Sequence, residues 1–144
     1  MQTSPTVLDI IALLGETRGA LLAQLRADTL ALRGVEERTL YDGFCREWTP
    51  AYYLGKGQLF HVHNFHSRLR ATMFVGVRTL EPVILDAGQI PHELRLLVAQ
   101  TPGHRTKQVK VPIDSAQDVA GFKELVKVKW DSLCNQPPGA SRRS

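Results

Sequence analysis

Between positions 38 and 77 the chain carries four successive segments of alternating, β-branched and aromatic residues, and the breaks between them are too short to cross a sheet. Arg38 to Phe44, Trp48 to Leu54, Gln58 to Phe65 and Leu69 to Val77 each read as strands. Gly55-Lys56-Gly57 joins the second to the third, and His66-Ser67-Arg68 the third to the fourth. Parallel neighbours need a crossover of roughly a dozen residues or more, whereas a short loop with glycine at positive φ closes a hairpin. The four segments therefore predict an antiparallel meander.

The flanking sequence is helical. Ser4 as N-cap and Pro5 in the first turn open a short helix through Leu14, and Gly15 punctuates it. Leu21, Leu22, Leu25, Thr29 and Leu32 then recur at helical spacing until Gly34. Thr79 to Gln100 reverts to helix in two pieces broken at Gly88 to Pro91. Lys107, Val109, Val111 and Ile113 alternate with Gln108, Lys110 and Pro112, which predicts an edge strand because proline cannot donate to a central ladder. Ser115 and Asp118 have capping-box spacing, and Val119, Phe122, Val126, Trp130 and Leu133 form one stripe of the helix they open. The fold class is α+β: a two-layer domain with an antiparallel sheet of about five strands and helices packed on one face. Residues 1–134 form the single domain and 135–144 a disordered tail.

At 144 residues, with 43% hydrophobic and 22% charged, the chain has enough apolar material for one core and too much for a disordered or disulfide-stapled chain. Cys45 and Cys134 lack the paired spacing of a thiolate zinc site. The N-terminus has no basic region before its apolar run, and no stretch approaches the ~20 apolar residues of a membrane span, so a reducing cytoplasm and no membrane partner are expected. The net charge of +4 is small, and two of the positive charges, Arg142 and Arg143, lie in the tail.

The order helix, Leu14-Gly15-Glu16, leucine-rich helix, Trp48, Tyr52-Tyr53 with Gly55-Lys56 and a closing Phe122-Lys123-Glu124-Leu125-Val126-Lys127 resembles an uncharacterised bacterial domain-of-unknown-function family. That family is itself similar, distantly, to the YdhG-like α+β proteins. The resemblance spans about Leu8 to Trp130 and implies helices over one face of an antiparallel sheet. It brings no catalytic set, although some of the wider YdhG-like group are proposed to handle iron.

The most distinctive segment is Leu59-Phe60-His61-Val62-His63-Asn64-Phe65-His66. On a strand His61 and His63 share a face, and Phe60 and Val62 take the other. Two imidazoles so placed can ligate one metal ion if His66 or a carboxylate closes the site. They can equally line an organic-ligand pocket, each neutral ring offering one donor and one acceptor. Arg68 and Arg70 on the next strand fall beside them and can bind a carboxylate, while Trp48 and Tyr52 add aromatic surface.

The leading expectation is thus a small-molecule-binding domain for an anionic or aromatic ligand, built from Trp48, Tyr52, His61, His63, Arg68 and Arg70. The alternatives are a metal-handling protein using His61, His63 and His66, a small cofactor-independent enzyme with histidine acid–base chemistry, and a nucleic-acid or protein-interaction module. No cofactor is predicted. Lys107, Lys110, Lys123, Lys127 and Lys129 make the C-terminal half basic, but interleaved Asp114, Asp118, Glu124 and Asp131 argue for a solvated helix surface against nucleic-acid binding. The edge at Lys107 to Ile113 offers a homodimer contact, against which Pro112 and the lysines act as edge protection. Cys45 reads as a buried inert thiol beside Arg46, and Glu36-Glu37 as a solvated turn.

Overall fold

The computed structural model describes residues 3–65 and 67–135. Its elements run α1 (Val7–Leu13), α2 (Glu16–Leu30), β1 (Val35–Asp42), β2 (Glu47–Leu54), β3 (Gly57–Phe65), β4 (Arg68–Gly76), α3 (Glu81–Leu85), α4 (His92–Gln100), β5 (Thr106–Ile113) and α5 (Ala116–Cys134). The five strands lie in chain order, every neighbouring pair antiparallel, with β1 and β5 at the edges. This is the two-layer α+β architecture that the alternating pattern predicts. The tail expected from 135 onward falls, beyond Asn135, outside the described residues, as does His66.

Strand parity builds the core. Phe60 and Val62 of β3, Leu69, Ala71, Met73 and Val75 of β4, and Val109, Val111 and Ile113 of β5 are buried on the face that the helices cover. Tyr52 stacks on Phe60 with ring centroids 4.9 Å apart, and Phe60 meets Phe122 of α5 edge-on at 5.0 Å. Such aromatic pairs add to the area term of burial. From α2, Leu22, Leu25 and Thr29 reach the same layer, and Trp130 of α5 donates its indole N–H to the Arg33 carbonyl at 2.9 Å.

Several boundaries move, each for a local reason. The first N-cap is Thr6 and not Ser4, because the Thr6 hydroxyl accepts from the Asp9 N–H while the Asp9 carboxylate accepts from the Thr6 N–H. At α5 the Ser115 hydroxyl accepts from Asp118 N–H, but the Asp118 carboxylate reaches one residue further back, to the Asp114 N–H. The first strand begins at Val35 and ends at Asp42, three residues earlier than expected at one end and two at the other. Glu36-Glu37 is consequently strand and not turn: Glu37 accepts from Arg26 at 2.8 Å and from the Tyr52 hydroxyl at 2.8 Å.

Lys107 lies on the helix side of the sheet, 6% exposed, where its ammonium meets Glu81 at 2.6 Å and the carbonyls of Val98 and Ala99 at 2.8 and 3.2 Å. Removing one partner of a buried pair leaves the other charge uncompensated. Glu81→Gln is therefore expected to lower the unfolding free energy by about 3 kcal/mol in urea titrations. A loss below about 1 kcal/mol would show that the carbonyls alone satisfy the ammonium.

Candidate functional site

The face of the sheet opposite the helices carries a polar cluster at one end. Ladder pairing between β2 and β3 begins at Ala51, opposite His61, one residue after Pro50, which has no N–H to give. Beyond that point side chains connect the strands. Glu47 of β2 accepts from the Asn64 N–H at 3.2 Å, and Asp42 of β1 pairs with His63 of β3 at 2.8 Å. Asp42 is opposite Glu47 in the β1–β2 register, and Cys45 lies in the turn between them. That turn is fixed by Asp42, whose other oxygen accepts from the Phe44 and Cys45 N–H groups at 2.9 and 3.2 Å. Arg46 then takes a positive φ of 55°.

One donor atom each from Asp42, Cys45 and His63 lie within 4.8 Å of one another. The hydrogen bond to His63, assisted by the two turn amides, holds the Asp42 carboxyl down at about 2. An ionised Asp42 is an acceptor only, so His63 Nε2–H is the donor, and in the neutral form of the ring the lone pair is at Nδ1. His63 is 8% exposed, and its Nδ1 has no hydrogen-bond partner among the described residues. Burial raises the Glu47 carboxyl, with Asp42 adding to the effect, while the Asn64 amide, His63 and Arg70 oppose it. Burial also raises the Cys45 thiol, with Asp42 and Glu47 reinforcing and Arg70 opposing. The adjacent Arg46 has no part in that, so the thiol is not an activated nucleophile.

His61 meets His63 edge-on at 5.0 Å, donates from Nδ1 to the Gln58 amide oxygen at 2.8 Å, and lies 5.9 Å from the Phe74 ring. Since the Gln58 atom is an oxygen, Nδ1 carries the proton. Partial burial, the neighbouring His63 and Arg70 push the His61 pKa down to about 4.

Of the residues expected to form one pocket, His61, His63, Arg68 and Arg70 share the open face, with His63 opposite Arg70 in register. Arg68 is turned to Asp114 at 2.6 Å and is largely exposed. Tyr52 faces the helices, fully buried against Phe60, and Trp48 has the same strand parity, edge-on to Tyr41 at 5.4 Å. The six residues are thus divided between the two faces of the sheet. Asp42, Cys45 and Glu47 are the neighbours of His63 that sequence reasoning missed.

No helix among the described residues is long and apolar enough to cross a membrane. No family model matches the chain, and no curated protein or solved structure is significantly similar to it.

The histidine charge state generates a pH dependence. His61 has a folded pKa of about 4 against an ordinary 6.5, so the unfolded chain binds the proton more readily between these values. Stability contributed by the neutral ring is full above pH 6.5 and is lost as pH falls toward 4. Urea midpoints should decline across that window, and His61→Gln should flatten the decline without changing the Asp42 loss below it. An unchanged slope in the variant would place the acid sensitivity elsewhere.

Proposed function

We propose that the protein binds a divalent transition metal, with zinc the best fit, through Cys45 and His63, with Asp42 orienting the imidazole. The observation that carries this reading is the convergence of a carboxylate, a thiol and an imidazole within 4.8 Å on a sheet end where His63 Nδ1 is buried and unpartnered. Coordination at Nδ1, with Asp42 keeping the Nε2 proton and orienting the ring, gives that atom its partner. Nitrogen and sulfur donors suit zinc, and the remaining positions can take water or substrate. Charge favours it too: two carboxylates, a thiolate, the Arg70 guanidinium and a divalent ion sum to zero. The thiol must ionise on binding, and its environment raises its pKa, so affinity falls as pH falls. The ligand set presupposes the reducing compartment that the sequence leads us to expect.

Cobalt tests this directly. Chelator-stripped protein should take up one Co²⁺ with a sulfur-to-metal charge-transfer absorption that Cys45→Ser abolishes, and His63→Ala should weaken uptake by at least about 10-fold. Folded wild-type protein showing no Cys45-dependent absorption in excess Co²⁺ would end the proposal.

Small-molecule binding is favoured at a different place. A cleft of about 550 Å³ between α4, β5 and the start of α5 has an apolar floor that includes Leu94, Leu97 and Val111. Its volume is that of a ligand pocket. Glu93 and Asp118 lie on its rim beside the Arg68–Asp114 pair, and Glu93 has no ion pair among the described residues. This lining suits an amine with an apolar body better than an anion. Amphipathic amines should raise the melting temperature, and Glu93→Gln should remove most of the shift. Stabilisation by aromatic acids in place of amines would reverse the assignment.

A further inference from the structure

Two lysines are buried in this domain, and they are treated differently. Lys107 has Glu81 and two carbonyls around its ammonium. Lys129, on α5 and 8% exposed, donates to the Phe74 carbonyl at 2.6 Å and has no other partner among the described residues. A buried ammonium with no counter-ion is costly, and the amine relieves this by losing its proton. Burial alone brings the Lys129 pKa down to about 8, so a sizeable fraction is neutral near physiological pH.

Lys129 lines a small cavity of about 50 Å³ together with Phe74, whose carbonyl its amine meets, and with Thr79, Thr106 and Ser132. A water needs ~10–15 Å³ by the same measure, so there is room for a triatomic molecule and little more. No carboxylate, guanidinium or imidazole lines it; its polar side chains apart from Lys129 are the hydroxyls of Thr79, Thr106 and Ser132. A Cβ at Gly76 would strike the Thr79 hydroxyl, so glycine there leaves that group its place. The lining offers nothing to neutralise a cation, yet hydroxyls donate readily to an anion.

We infer that Lys129 is a carbamylation site, its amine taking up carbon dioxide in this cavity. The nitrogen lone pair forms an N–C bond to the carbon, one C–O π pair moves onto oxygen, and the displaced N–H proton leaves to solvent. Nothing is oxidised or reduced. The product replaces an uncompensated cation by an anion facing hydroxyl donors.

The test uses folded wild-type protein equilibrated with ¹³C-labelled carbon dioxide and bicarbonate near pH 8. A carbamate ¹³C resonance should appear, survive in Lys110→Arg and vanish in Lys129→Arg. Alkylative trapping followed by peptide mass spectrometry of the wild type should place the adduct on Lys129 over Lys110 by at least about tenfold. Because the trapping needs no variant, it reads independently of any folding defect. No adduct at Lys129 under saturating carbon dioxide, or equal adduct at both lysines, overturns the inference.

Discussion

The hydrogen-bond ladder between β2 and β3 stops at Ala51, and the open face of the sheet is organised by what replaces it. Unpaired backbone groups must find partners, and here a carboxylate supplies one while a second ties the strands by a side-chain bond. Glu47 takes the Asn64 amide, and Asp42 reaches across the end of β2 to His63. The replacement has a chemical consequence that a regular ladder would not have. Two acids, an imidazole and a thiol are drawn to one end of the sheet, half out of water, where burial and neighbouring groups shift the protonation of Asp42, Cys45 and Glu47.

The helix-covered face follows a different rule. Its charged groups are admitted only with explicit partners: Lys107 with Glu81, and Glu37 with Arg26 and the Tyr52 hydroxyl. Lys129 is the departure, since its one carbonyl partner does not neutralise it. Packing explains its position without explaining its charge. Val128 and Leu125 precede it on the buried stripe of α5, and the long aliphatic stem of lysine continues that stripe toward the end of β4.

The sheet and the final helix were legible in the sequence because alternation and helical stripes report burial directly, and burial is what the core at Phe60, Met73, Val109 and Phe122 consists of. Lys107 even fell on the apolar parity of its strand. The first strand begins earlier than its local pattern indicates because Glu36 and Glu37 are poor strand formers, and their place depends on Arg26 and Tyr52, contacts distant in sequence. The turn signal that would have corrected it was present in Asp42-Gly43, a dipeptide that commonly closes hairpins. The strand ends at Asp42, Cys45 lies within the turn that follows, and Glu47 opens β2. Nothing local, however, marks His63 as their neighbour, because that requires knowing where β3 lies relative to β1.

The same cluster can be regarded as lacing for an interrupted ladder or as a donor set, and the two descriptions make different demands on His63. Lacing needs only the Nε2 proton shared with Asp42, a bond that leaves Nδ1 idle. An idle ring nitrogen on the wet side of a sheet costs nothing, because water serves it. Buried, it loses water without gaining a partner, a cost of about 1–3 kcal/mol that a donor-only side chain at the same position would avoid. Imidazole is warranted where both nitrogens are used at once, one held by the carboxylate and the other offering its lone pair to an ion beside Cys45.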